Sequence, residues 1–265
     1  MKTLRVATDV GGTFTDLVAF ESGPDGVRIS SAKSDTTPPD YETGVVKVLE
    51  KCGIDPSSIG FMAHGTTVVI NALTERKGVK VGLITTEGFR DVIEMRTESR
   101  FEQYDLNLRL PYPLLPRNQR LTLRERIDAG GEVLIPLDPA AIEALADQIE
   151  EAGYESVAIG LLHSYLNDSH ERQIAEVLSR RLPQGTLSLS SEVSPQMREY
   201  ERFNTTIANA YIKPLMKSYL GRLAGRLKEQ GADCPIFLMH SGGGIISLEN
   251  AAEFPVRLVE SGPAG

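Results

Sequence analysis

Asp9-Val10-Gly11-Gly12-Thr13-Phe14-Thr15-Asp16 lies between two runs of strand character. Before it, Leu4, Val6 and Thr8 alternate with Arg5 and Ala7; after it, Leu17 to Phe20 opens a second run. Alternation broken by a glycine pair predicts a strand, a tight connection and a returning strand. The glycines let backbone amides approach a ligand closely and point at it. Thr13 and Thr15 add hydroxyls two residues apart. Asp9, at the strand end, is a carboxylate of the kind that holds hydrated Mg2+ beside a phosphate. The string is neither a Walker A loop nor a Rossmann fingerprint. An ordinary tight hairpin, where glycine and aspartate are common, reads it equally well.

Working outward, Val27 to Ser31 follows the turn Gly23-Pro24-Asp25-Gly26 and reads as a third, antiparallel strand. Helices and strands then alternate. Pro38-Pro39-Asp40 opens a helix with Val45, Val48, Leu49 and Cys52 on one face. Ile59 to Ala63 is a strand ending at His64-Gly65, and Thr67 to Lys77 a helix closed by Gly78. Val79 to Thr85 is the next strand. Asp138 caps a helix with Pro139 at its first position, Ile142, Leu145, Ala146 and Ile149 along one face, and Gly153 closing it. Val157 to Leu162 is nearly continuous apolar sequence, as in a parallel sheet. Ser169 to Leu182 reads as a helix, and Pro195 to Gln230 as a longer one that Pro214 breaks or kinks. Pro235 to Met239 is a strand meeting Ser241-Gly242-Gly243-Gly244. This alternation predicts an α/β architecture. Residues 95–136 stand apart as an irregular, proline- and arginine-bearing insertion of the kind that faces substrate.

The composition of the 265 residues is that of a globular protein, with 41% hydrophobic and 24% charged residues. Lys plus Arg is 28 against 36 for Asp plus Glu, a net charge of −8, which argues against nucleic acid as a partner. The longest apolar run falls far short of the ~20 residues a membrane helix needs. No signal peptide is evident, so a cytoplasmic enzyme or binding protein is expected. Cys52 and Cys234 read as small buried thiols. His163, His170 and His240 lack metal-ligand spacing, so no structural zinc is expected.

Other strings carry possible chemistry. His64-Gly65-Thr66-Thr67, at a strand end before a helix, offers hydroxyls and amides to an anion or a carbonyl; helix capping is the commoner use of threonine there. Asn71 lies one turn further on the same face. Arg90, Arg96, Arg100, Arg124 and Arg126 surround the insertion, either as anion-binding forks or as a solvated face. Ser194-Pro195 reads as a cap, with Glu192, Arg198, Glu199, Glu201 and Arg202 as ion pairs around a helix start.

In this order the strings resemble the hydantoinase A / 5-oxoprolinase family, within the actin, sugar kinase and Hsp70 ATPase superfamily. The resemblance is carried by Asp9 to Asp16, by His64-Gly65-Thr66-Thr67 with Asn71-Ala72-Leu73, and by Leu83-Ile84-Thr85-Thr86 with Gly88-Phe89-Arg90-Asp91. Glu125-Arg126-Ile127-Asp128, Leu162-His163-Ser164-Tyr165, Ser190 to Pro195 with Arg198 to Arg202, and Val259 to Gly265 extend it along the whole chain. It implies a ribonuclease H-like actin/Hsp70-type ATPase half with an inserted α/β subdomain and a mixed sheet. It divides the chain into an N-terminal domain, 1–180, and the start of a second, 181–265, ending before a second phosphate loop. The expected chain is therefore an N-terminal piece, inactive alone.

The family resemblance implies ATP and Mg2+ as cofactors. Asp9 would organise the metal; Gly11, Gly12, Thr13 and Thr15 would hold phosphates, joined by Ser241, Gly243, Gly244, Ser261 and Gly262. His64, Thr66 and Thr67 would act with Asp9 near the reacting groups, and Asn71, Arg100 and Arg126 would meet substrate. Relatives phosphorylate a carbonyl oxygen. The implied reaction is ATP-dependent opening of a cyclic amide, with a hydantoinase B-type second subunit or fused domain, in an oligomer. A ketone carboxylase subunit is the first alternative, and a non-catalytic nucleotide-binding module the second.

Overall fold

A computed structural model describes residues 4–24, 26–97, 102 and 104–259. The elements are β1 (Leu4–Val10), β2 (Phe14–Gly23), β3 (Gly26–Asp35), α1 (Tyr41–Lys51), β4 (Ile59–Thr66) and α2 (Val68–Thr74). They continue with β5 (Val81–Thr86), α3 (Val92–Met95), β6 (Arg120–Leu123), β7 (Arg126–Ile127), β8 (Val133–Ile135), α4 (Pro139–Ala152), β9 (Ser156–Gly160), α5 (Ser169–Arg181), β10 (Thr186–Leu189) and α6 (Ser190–Val193). Last come α7 (Glu199–Glu229), β11 (Ile236–Met239), β12 (Ile245–Ser247) and α8 (Leu248–Glu253). Two compact units share these elements: residues 1–78 with 215–265, and residues 79–214 inserted between them. The result is the expected α/β fold, with a mixed sheet and an inserted α/β subdomain.

In the first unit, six strands run in the order β12-β11-β4-β1-β2-β3. β1, β4 and β11 are parallel, β2 runs antiparallel to β1, and β3 runs antiparallel to β2. Val6, Val10, Leu17, Ala19 and Met62 are buried in this sheet, and Val45, Val48 and Leu49 of α1 are buried with them. The alternation in Leu4–Val10 thus resolves as an inward set, Val6, Thr8 and Val10, and an outward set ending at Asp9.

The second unit holds a wholly parallel sheet, β10-β9-β5-β6, with helices on both faces. Ile84, Val157 and Ile159 pack with Ile142, Leu145 and Ile149 of α4 and with Ile174 and Leu178 of α5. Val81, Leu83 and Ala158 pack with Ile93, Phe203, Ile207 and Ala210 on the other face. Burial on both faces is why β9 reads as unbroken apolar sequence rather than an alternation.

Several element ends differ from expectation. α2 stops at Thr74, not Lys77: the Thr74 hydroxyl bonds back to the Ile70 and Asn71 carbonyls at 2.9 and 3.2 Å. Arg76 at φ 54°, rather than Gly78, takes the left-handed position after it. α7 starts at Glu199, so Pro195 is not its first residue, and the helix runs unbroken through Pro214. Buried Glu171 pins the chain just upstream, accepting from Ser190 Oγ at 2.6 Å, Ser191 N at 2.9 Å and Ser191 Oγ at 2.7 Å. Residues 95–136 are not irregular throughout. β6 extends the parallel sheet, and buried Arg120 donates to the Leu115 carbonyl at 2.7 Å and to Glu94 at 2.8 Å. Cys52 and Cys234 are not joined in a disulfide, and both are only partly buried rather than fully buried.

Candidate functional site

Parallel strands β1, β4 and β11 end side by side, with Asp9 opposite Gly65, Val10 opposite Thr66, and Leu238 opposite His64. The carboxyl edge of a parallel array is where α/β folds place ligands, since the connecting loops there are free of the sheet ladder. Three connections meet at this edge: residues 11–13, the β4–α2 junction at Thr66 and Thr67, and residues 240–244.

The first connection is locked from below and open above. Gly11 N donates to Phe14 O, and Thr36 holds the loop through its hydroxyl on Gly11 O and its amide on Thr13 O, all at 2.9 Å. Gly12 and Thr13 are exposed. Thr15 is not: its hydroxyl is fully buried, 3.2 Å from Thr36 Oγ1. Gly44 accommodates it, since a Cβ there would come within 2.9 Å of Thr15 Oγ1.

Asp9 is exposed on the outward set of β1. A Cβ at Gly65 would stand 2.8 Å from Asp9 Oδ1, so glycine on β4 leaves the space this carboxylate occupies. Partial burial, then repulsion from Asp16, raises the Asp9 pKa above the ordinary aspartate value. A divalent cation at such a carboxylate would relieve both effects, so the donor fits Mg2+.

Thr67 fastens β4 to β1. Its amide donates to Val10 O at 2.9 Å and its hydroxyl to the same carbonyl at 3.2 Å, while Asn71 Nδ2 donates to Thr67 Oγ1 at 3.3 Å. Asn71 also reaches the glycine loop: a Cβ on Gly12 would meet its Nδ2 at 3.7 Å. Thr66 is buried, and its hydroxyl accepts from Val68 N, the first residue of α2, at 3.2 Å.

His64 has no solvent exposure. Nδ1 lies 2.8 Å from Thr8 Oγ1, and Nε2 lies 2.7 Å from the Tyr219 hydroxyl. Burial lowers its pKa to about 4, so the ring is neutral at pH 7. Tyr219, which also hydrogen-bonds Thr66, is pushed above the ordinary tyrosine range by burial first and Glu42 next. His64 therefore stands beneath the edge, not on it. Sequence reasoning did not find Tyr219 or Thr36. The inward set of β1 flags Thr8, but nothing local to α7 announces that Tyr219 reaches β4.

The third connection is a β11–β12 hairpin. Gly243 and Gly244 hold φ 82° and 85°, a region other residues rarely adopt. Gly242 N donates to His240 Nδ1 at 2.9 Å, and Ser241 is tied to the Arg257 carbonyl through both N at 2.9 Å and Oγ at 2.6 Å.

The structure thus brings Asp9, Gly11, Gly12, Thr13, Thr66, Thr67 and Asn71 together at one edge, with Ser241, Gly243 and Gly244 on the third connection. Arg126 belongs to the other unit, with its guanidinium 4.9 Å from the Phe89 ring centroid. Arg100, Ser261 and Gly262 lie outside the described residues. Among the described residues, no cluster of three or more His, Cys, Asp or Glu side chains could hold a metal, and no helix is long and apolar enough to cross a membrane.

Residues 5–182 match the hydantoinase/oxoprolinase N-terminal region and residues 202–265 match hydantoinase/oxoprolinase. The chain belongs to the hydantoinase/oxoprolinase family. It is 34% identical to caprolactamase subunit alpha of Pseudomonas jessenii, over 98% of this chain and 38% of that protein. It is 28% identical to 5-oxoprolinase of Saccharomyces cerevisiae, over 99% of this chain and 23% of that protein. Among solved structures it superposes on nucleotide-free acetone carboxylase with a TM-score of 0.86 at 27% identity, and on the ATP-dependent caprolactamase of Pseudomonas jessenii with 0.85 at 34%. Both superpositions cover 98% of this chain and 39% of the other, so the chain spans about two fifths of either relative.

Proposed function

We propose that this chain supplies one wall of the nucleotide site of an ATP-dependent enzyme that activates the carbonyl of a cyclic amide for ring opening. The observation that carries the reading is the convergence of Asp9, the Gly11-Gly12-Thr13 loop and the Thr67–Asn71 pair at one parallel-sheet edge. The ATP-dependent caprolactamase, superposing over nearly the whole chain, supports it.

The residues present fit the ligand. Gly12 and Thr13 offer exposed backbone and hydroxyl donors to phosphate oxygens. Asp9 would hold Mg2+. Bound MgATP supplies the phosphoryl group that converts a resonance-stabilised amide carbonyl oxygen into a leaving group. Thr36 and Thr15 fix the loop from behind. Thr67 and Asn71 orient β4 against it. His64 acts by position and not by proton transfer, because both ring nitrogens are engaged in a buried site. A second subunit or fused domain would complete the reaction.

The decisive experiment is phosphate release by the complete protein, with its partner subunit, on hydantoins, 5-oxoproline, lactams, and ketones with bicarbonate. Stimulation by a cyclic amide that Asp9→Ala reduces at least about a hundredfold is expected, the scale for removing an electrostatic contact to a transferring phosphoryl group. A second reading, ketone carboxylation, is favoured by the equally close superposition on acetone carboxylase. Bicarbonate-dependent stimulation by a ketone alone would establish it instead. Nucleotide binding with no stimulation by any of them would overturn both and leave a non-catalytic module.

A further inference from the structure

The chain reverses its direction across the sheet of the second unit. It passes from β5 outward to β6, returns to β9 on the other side of β5, and continues to β10. In open parallel sheets such a reversal leaves a crevice outside the strand carboxyl ends, where ligands bind. The residues that follow β5 run into a cavity of about 400 Å³, walled by Phe89 and α3 on one side and by the first turn of α7 on the other.

Its lining has an apolar and a cationic part. Phe89, Val92, Met95 and Tyr200 supply the first, Arg96 and Arg198 the second. Arg96 spends one N–H on the Pro111 carbonyl, leaving the rest of its fork. Arg198 is exposed, at φ 82°, and among the described residues its guanidinium has no acidic partner. Arg126 lies over the Phe89 ring and adds positive potential. Two carboxylates share the lining: Glu199, 3.6 Å from buried Arg202, and exposed Glu201. Guanidinium forks match carboxylate and phosphate alike. The two glutamates make the cavity better suited to one negative charge than to two.

We infer that this cavity binds a small monocarboxylate with an apolar body, its carboxylate on Arg96 and Arg198 and its body on Phe89, Val92, Met95 and Tyr200. The inference is independent of the nucleotide reading of the first unit.

The test is calorimetric titration of the 265-residue chain with two acids, 5-oxoproline and benzoate, and their neutral counterparts, 2-pyrrolidinone and benzamide. At least one acid is expected to bind about tenfold tighter than its counterpart, the ratio a charge-assisted hydrogen-bond set gives. The double variant Arg96→Ala/Arg198→Ala should lose that preference, Arg198→Lys should keep part of it, and Asp9→Asn should leave it intact. Circular dichroism and thermal melts verify that each variant is folded. Acids and neutral counterparts that bind alike, or not at all, would overturn the proposal, as would a folded double variant that keeps the preference. Inorganic phosphate displacing the acid at equal concentration would overturn the carboxylate assignment.

Discussion

His64 is buried with both ring nitrogens engaged, and its pKa falls to about 4. An unfolded histidine titrates near 6.5, so between those values the unfolded chain binds the extra proton. The stability His64 contributes is complete above about pH 6.5 and is lost as pH falls towards 4, roughly 3 kcal/mol in all. Urea melts across this range should show His64→Gln with a flatter pH dependence than the parent; an unchanged slope would assign the titration elsewhere. Asp9 works in the opposite sense, because its raised pKa favours the folded chain as pH drops, so the paired comparison is the informative one. Tyr219→Phe removes the hydroxyl partner of His64 Nε2 and should cost about 1–3 kcal/mol, the penalty of a buried group left unpaired. A loss below about 0.5 kcal/mol would show that the ring finds another partner.

Glycines at the strand ends separate packing from site geometry. A Cβ at Gly160 on β9 would stand 2.6 Å from Phe203 Cδ1, so Gly160→Ala should destabilise by about 1–3 kcal/mol in a denaturant melt, as overpacking does. Gly65→Ala meets the end of the Asp9 side chain instead, which can swing away. Its melt should move little while substrate-stimulated phosphate release falls; normal turnover would show that the Asp9 position is not critical. The same distinction explains what was legible in the sequence. α4 could be bounded by eye because its signals are local: Asp138 accepts from Ala140 N at 2.9 Å, and Gly153 closes the helix at φ 65°. The Asp9–Asp16 hairpin was equally legible, because alternation and a glycine pair are contiguous. The ends of α2 and α7, the strand inside residues 95–136 and the burial of His64 were not. The end of α2 turns on a side-chain bond from Thr74 back to its own helix, which spacing does not announce. The others depend on partners far along the chain, among them Tyr219 for His64 and Glu94 for Arg120.

At the scale of the molecule, the outer hairpin of the six-stranded sheet carries exposed apolar side chains along an open edge. Phe20 is 40% exposed, Val27 62% and Ile29 63%, and β3 is an edge strand of ten residues. Such an edge invites pairing with another chain. Sedimentation at rising concentration should show self-association of the 265-residue chain that Ile29→Lys reduces; identical profiles would exonerate the hairpin. The insertion of residues 79–214 between the two pieces of the first unit has a bearing on synthesis at the ribosome. β4 emerges early, but its neighbour β11 is encoded more than 150 residues later. At about 5–20 residues per second, β4 waits roughly ten to thirty seconds with one side unpaired. Over that interval the nascent chain offers chaperones an open strand, and slow codons within the inserted stretch would prolong their access to it.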